Sequence, residues 1–483
     1  MFGASYVRTY LEVGLPSQFA PGNLPALVRA GFELTTHIFT TPEDIATLEQ
    51  SPVFQHLRDF SKVVFHDITG QVREYRAGAC SCFDIMNRAY QTGMKAAYAD
   101  HGALVAIWPD VVFSDGSFAV LGEHALKGTR CVVLAGNQAH VSLAEDLRAR
   151  FLDPAGIALP VPARELLRSA MAHFTPYWTQ YFVDDPCFPS QEATHFQKRV
   201  GASGFLTRTS YFHPIYIRPT AASLEYDLTN LRDGLDTSAI FSTLTDDMAR
   251  DIHVVTDSDE MCFVGLDGRV SSHFGVQGPM NLTEMALALM PRCRAHTPYF
   301  FRQPLRFHVE DLDESWTSAQ VETEAVVEQI LACVQLWQRH PQLLEGAQRL
   351  QRMAHPSAND SPLFRHLARF VDSLSLDWIL SRKRIGIYGA GAWSRRLLQD
   401  SSLRDCNIVG VFDTNPAMHG RAFLAWTLSS PEQIRELSPE VILVIAEAWQ
   451  DEIQERLRAD PHITAEIIKL FPAVQPKSLQ EPS

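Results

Sequence analysis

The run RIGIYGAGAWS at residues 384–394 decides how the C-terminal part of the chain is read, because an apolar strand passes through a Gly-x-Gly turn into a helix start. Gly389 permits the tight turn and Gly391 lets the backbone approach a pyrophosphate, whose charge the helix dipole favours. A second apolar run, IVGVF at 408–412, ends at Asp413. That is close to the separation of about 20 residues at which a carboxylate takes a ribose hydroxyl. Ser394 stands at the third fingerprint position, where Gly or Ala is usual. A further strand is predicted at 441–445, a helix at 450–459, and a frayed tail at 475–483. Residues 381–474 are therefore expected to form a small parallel α/β domain binding a nucleotide or dinucleotide through Gly389, Gly391, Ser394 and Asp413. Its length suits only the first half of a full dinucleotide domain, so a mononucleotide ligand, or a turn kept for packing alone, stays open.

At 483 residues the chain exceeds what one core supports, and two or three domains are expected. The 42 Lys+Arg against 56 Asp+Glu leave a formal charge of −14, which repels phosphate backbones and argues against a nucleic-acid partner. Of eight cysteines only Cys80 and Cys82 lie close together, too few for a zinc site of paired cysteines and in keeping with a reducing cytosol. The start MFGASYVRTYLEVGL lacks the basic, apolar and cleavage segments of a leader, and no later run has the length of a membrane span. A cytoplasmic protein without a transmembrane segment is expected.

Upstream, ALVAIWPDVVFSDGSF at 103–118 runs an uncharged strand into two carboxylates. Residues 103–108 have the composition of a central parallel strand that Pro109 terminates, which puts Asp110 and Asp115 at a carboxyl edge, where open α/β sheets bind ligands. Asp115–Gly116 also reads as a plain turn before a helix. Strands are predicted at 5–15, 32–39, 62–68 and 129–135. Helices are predicted from the Thr41 cap to about Phe60, over 83–97 with Phe83, Met86, Tyr90 and Met94 inward, after Gly116, and from a capping box at Ser142. This alternation argues for an open, mostly parallel sheet over residues 1–305. Residues 151–305 are rich in proline and read as loops and short strands, with two exceptions. YFHPIYIR at 211–218 sets His213 at the head of a strand, and IHVVTDSDE at 252–260 ends one in Asp257 and Asp259, which can converge on one divalent cation or serve only as turn residues. Residues 306–380 read as a helical connector with a loop at 355–360.

Residues 10–13 (YLEV), 22–23 (GN), 38–44 (IFTTPED), 86–88 (MNR) and 109–112 (PDVV) resemble bacterial GT-A-type glycosyltransferases of surface-polysaccharide and glycoconjugate synthesis. The resemblance implies a GT-A-like domain and a metal-binding Asp-x-Asp after its fourth strand. Here that position reads Asp110-Val111-Val112, so only one carboxylate remains, with Asp257 and Asp259 to supply the rest and His213 to complete the shell. The C-terminal runs VFDTNP at 411–416 and SSPE at 429–432 look like small Rossmann domains appended to sugar-modifying enzymes and some methyltransferases.

On this reading the chain is an enzyme that moves a sugar from a nucleotide-sugar donor to a glycan, lipid-linked or protein acceptor. Asp110, Asp257 and Asp259 are its catalytic acids. The same three with His213 hold Mn or Mg, and Asn87, Arg88 and Asp115 contact substrate. Two alternatives compete: an NAD-linked sugar oxidoreductase or epimerase run by the Rossmann-like unit, and a non-catalytic nucleotide- or carbohydrate-binding protein. The first lacks a Tyr-x-x-x-Lys proton-transfer pair near Asp413.

Overall fold

The computed structural model describes residues 1–77, 79–191, 193–226, 240–267, 278–354, 362–446 and 449–471. The loop expected at 355–360 and the tail at 475–483 lie outside these. The chain divides into two compact units, Met1–Ala354 and His355–Ser483.

The first unit is mixed α/β, and among the described residues its strands form four small sheets instead of the open parallel sheet expected of a GT-A domain. Thr35–Thr40 and Lys62–Asp67 pair in parallel. Ile252–Val254, Cys131–Leu134, His213–Ile217 and Leu104–Val105 make a second sheet in that order, its first pair parallel and the others antiparallel. Val111–Phe113, Phe263–Asp267 and Asn137–His140 make a third, and Leu305–His308, Gly204–Thr209 and His195–Val200 an antiparallel fourth.

Residues 103–108 therefore supply a two-residue antiparallel edge, Leu104–Val105, and not a central parallel strand. Pro109 does interrupt the ladder, but the chain re-enters a different sheet at Val111. Asp110 sits at that junction, its carbonyl accepting from Leu266 N at 2.8 Å. Residues 5–15 are helical, not extended: Ala4–Thr9, a π-helical turn at Tyr10–Gly14, then Leu15–Gln18. The buried residues Val7, Tyr10 and Val13 recur every three positions, a helical period that alternation misread. Gly14 is required there, because a Cβ would lie 2.7 Å from the Pro109 carbonyl.

The Thr41 cap forms as the sequence indicates, but the helix it opens ends at Glu49, and a second, Pro52–Leu57, capped by Ser51, covers part of the remaining span to Phe60. Helix Cys82–Ala99 also forms, capped by Ser81 and Asp84, and buries Tyr90 and Met94 as expected, but at its start Phe83 is exposed and Asn87 is fully buried. Ser142 does not cap Leu143–Phe151; its hydroxyl bonds His140 Nδ1 at 2.8 Å instead. The long helix Glu314–Arg339 buries Trp316, Thr323, Val327, Ile330 and Val334, and belongs with Pro341–Ala354 to the first unit.

Helix Pro362–Ser381 opens the second unit, which holds a six-stranded sheet. Five of its strands are parallel: Arg384–Tyr388, Asn407–Phe412, Trp426–Ser429, Val441–Val444 and Glu466–Lys469. Numbered along the chain they lie in the order 3-2-1-4-5, with Ala422–Phe423 antiparallel on the outer edge. Strands on both sides of the first exceed the half-domain expected from length, because the connections are short enough to fit five strands in little sequence. The order reverses between the first and fourth strands, which creates a switch-point crevice at their carboxyl ends.

Candidate functional site

The strand Arg384–Tyr388 buries Ile385, Ile387 and Tyr388 and delivers Gly389 at φ +103°. A Cβ at Gly389 would lie 2.7 Å from the Ile445 carbonyl, so this glycine is demanded by both its conformation and the strand beside it. Gly391 differs. Its φ is −83°, and no atom lies within 4 Å of where a Cβ would be, which leaves open space over the start of helix Ala392–Asp400. Ser394 is fully buried and its hydroxyl donates to the Gly389 carbonyl, closing the turn from beneath.

Asp413 follows the second strand. Its Oδ2 accepts from Ala390 N at 2.9 Å and its Oδ1 from Asn415 N at 2.9 Å. A carboxylate has about four lone-pair sites, so two backbone bonds fix its orientation and leave capacity for ligand hydroxyls. The His419 ring bonds the Asp413 carbonyl at 2.7 Å. Beside the turn, the Arg456 guanidinium bonds the Tyr388 hydroxyl. Burial raises the Tyr388 phenol above its ordinary range, Arg456 opposing this and Asp413 and Glu432 adding to it. Trp449, 64 % exposed, follows the fourth strand on the same edge. Glycine turn, oriented carboxylate, guanidinium and exposed indole thus line one end of one sheet.

The acids predicted in the first unit do not form a single constellation. Burial, with a smaller contribution from Asp267, raises the Asp110 carboxyl above its ordinary range. Asp115 Oδ1 accepts from Gly22 N at 2.6 Å, and Gly116 takes φ +95° before helix Ser117–Lys127, so this pair has the geometry of a turn tied to a distant loop. Asn87 is buried in its helix, and Arg88 pairs on the surface with Glu74 at 3.1 Å. His213 Nε2 faces the Ala106 carbonyl at 3.0 Å, with its ring 3.8 Å from that of Trp108.

Asp257 and Asp259 do lie together, but the histidine that joins them is His308, with Nε2 2.8 Å from Asp257 Oδ1. Hydrogen bonding to Asp257 raises the His308 imidazole above its ordinary range against the effect of burial. Burial opposes ionisation of Asp257, yet the His308 and Asp259 N–H bonds outweigh it and lower that carboxyl. Arg164 grips both oxygens of Asp259 at 2.7–3.1 Å and also reaches Asp311. Asp110 and His213 belong to neither of the two metal-competent groups found among the described residues.

The other such group, His124, His253 and Glu260, was not singled out in the sequence. His253 and Glu260 stand in the same run as Asp257, and their pairing follows from the chain doubling back after Val254. His124 and His308 come from far along the chain and carry no local signal.

Residues 365–472 match a family profile described as the C-methyltransferase C-terminal domain. No curated protein matches the chain. The match, confined to the second unit and under a quarter of the chain, corrects the glycosyltransferase reading. It points to an enzyme of the transferase class, one of methyl and not of glycosyl groups, and lends nothing to the oxidoreductase, epimerase or purely binding alternatives. The GT-A resemblance rested on short runs that the first unit builds into helix and mixed sheet. Among the described residues no helix is long and apolar enough to cross a membrane. What the chain is similar to, over residues 365–472, is the C-terminal domain of C-methyltransferases.

Proposed function

We propose that the protein serves methyl transfer to carbon, and that the switch-point crevice of the second unit holds the nucleoside portion of a reactant. That reactant is either a sulfonium methyl donor of the S-adenosylmethionine class or an acceptor carried on a nucleoside diphosphate. In such a transfer a C–H proton leaves to a base, the carbon forms a bond to the methyl group, and the electrons of the S–CH3 bond return to sulfur. Asp413, oriented by Ala390 and Asn415, would accept from ribose hydroxyls, while the open space at Gly391 admits a group close to the backbone. The observation carrying this reading is that the matched span, residues 365–472, takes in every strand of the sheet that forms the crevice. A cytoplasmic setting fits eight free cysteines.

Calorimetric titration of the full-length protein with S-adenosylmethionine, S-adenosylhomocysteine and UDP tests the crevice. One should bind, and Asp413→Ala should weaken it about ten-fold or more, since a bond to a charged group contributes about 1.5–3 kcal/mol. No binding by any of the three would overturn the assignment. Transfer itself is read by NMR with a carbon-13 methyl donor and candidate acceptors. A new resonance in the C–CH3 region supports the proposal, and one in the O–CH3 region refutes carbon as the acceptor.

A further inference from the structure

We infer that His124, His253 and Glu260 of the first unit bind one divalent transition ion of the zinc class, a site independent of the methyl-transfer reading. The three residues converge from separate elements. Ile252 and Val254 are buried, so the alternation of their strand turns His253 to the other face. The chain then turns back, Glu260 N bonding the Asp257 carbonyl at 3.2 Å, and brings the Glu260 carboxylate under that ring. His124 reaches the same point from the last turn of helix Ser117–Lys127.

Nε2 of His253 lies 2.6 Å and Nε2 of His124 3.8 Å from Glu260 Oε1, and the two rings stack with centroids 4.0 Å apart. All three ligand atoms fall within 4.8 Å of one another. Neighbouring ligands of a tetrahedral zinc ion stand roughly 3.3 Å apart, as bond lengths near 2.0–2.1 Å require. Lengthening the first of the two Glu260 contacts and shortening the second, each by under an ångström, brings both to that spacing.

Further features favour a cation of this kind. Thr129 Oγ1 lies 3.0 Å from His124 Nδ1, the position of an outer partner that holds the proton on Nδ1 and leaves the Nε2 lone pair facing Glu260. The C-terminal end of a helix adds negative potential at His124. Two nitrogens and one oxygen suit zinc or its neighbours better than magnesium or calcium, which prefer all-oxygen shells. The group around Asp257 is less suited, because the Arg164 guanidinium already occupies both oxygens of Asp259. Side-chain exposures of 33 % for His253 and 29 % for Glu260 leave a path from solvent and room for a fourth ligand.

Full-length protein freed of metal by chelation and titrated with Co²⁺ should develop the visible absorption of a low-coordinate site, saturating at one equivalent and displaced by Zn²⁺. Glu260→Gln, which keeps the shape of the side chain, should weaken binding at least a hundred-fold. Thr129→Val should weaken it about ten-fold by releasing the His124 ring, and reads the site even if Glu260→Gln is unstable. Asp257→Asn should bind as the parent does. Failure of the parent protein to take up one equivalent overturns the inference, as does loss of binding in Asp257→Asn with Glu260→Gln unaffected.

Discussion

The acids of the two units are held in opposite ways. Asp413 of the second unit is positioned by two backbone N–H groups, that of Ala390 in the glycine turn and that of Asn415 two residues after Asp413 itself. Asp257, Asp259 and Glu260 of the first unit are instead held mainly by side chains, namely His308, Arg164, and His253 with His124, the Asp259 N–H adding one backbone bond to Asp257. A backbone-held carboxylate keeps its negative charge turned to whatever enters. One held by a cationic side chain, as Asp259 is by Arg164, is neutralised where it stands and needs nothing further to be satisfied. The difference teaches that a turn motif predisposes to ligand binding, whereas a cluster of acids in a loop serves the fold unless its partners are themselves neutral ligands.

The same contrast governs stability. The largest effect expected is that of Arg208→Ala in the first unit. Arg208 is 1 % exposed and bonds Thr323 Oγ1 at 3.1 Å, the Gln320 carbonyl at 3.1 Å and the Arg302 carbonyl, joining strand Gly204–Thr209 to helix Glu314–Arg339. Burial lowers its guanidinium to about 10. Removing the side chain leaves buried acceptors without donors and opens a cavity, so urea unfolding should show a loss of about 3–5 kcal/mol. A loss below about 1 kcal/mol would break the view that the first unit depends on contacts between distant segments.

In the second unit the backbone is the sensitive part. Gly389→Ala meets both an unfavourable φ and the Ile445 carbonyl, and should cost about 2–3 kcal/mol. Gly391→Ala should stay within about 0.5 kcal/mol, for nothing surrounds that position. Equal effects at the two glycines would contradict the division between a structural and an open position.

The His308–Asp257 pair gives the first unit a pH signature. Since His308 is raised above 6.5 in the fold, its contribution is complete below 6.5 and is lost as pH rises through the folded value. Asp257 is lowered below 3.8, so its contribution is present above 3.8 and is lost as pH falls through the folded value. Within that window His308→Gln should reduce stability by about 1.5–3 kcal/mol, the gap narrowing on the alkaline side. A gap that widens there would reverse the assignment of charge. Among the charged pairs of the first unit Arg164→Ala should have the smaller effect, at most about 1 kcal/mol, because the pair with Asp259 is solvent-exposed. Parallel melting curves at low and high salt check it.

What was legible before the fold was known follows from how local each signal is. The Thr41 cap, the strand–turn–helix at 384–394 and the apolar runs at 408–412 and 441–445 are set by neighbours a few residues apart, and they form where the sequence puts them. Short apolar runs are ambiguous in the same physical terms. Residues 5–15 satisfy a helical as well as an alternating period, and residues 103–108 have the composition of a buried strand without the partners that would make it central.

The amino-acid sequence by itself determined the turn chemistry of the second unit, because Gly389 is needed for a backbone angle and Asp413 follows the next strand of the same strand–helix–strand unit, which returns it to Ala390 N 23 residues back. Only the tertiary structure decided the company kept by the acids of the first unit. His308 lies 51 residues from Asp257, and Arg164 lies 95 from Asp259. Nothing in a local stretch records such a meeting; it arises when separate sheets and helices bury their apolar faces and bring the polar ends of distant segments into one place.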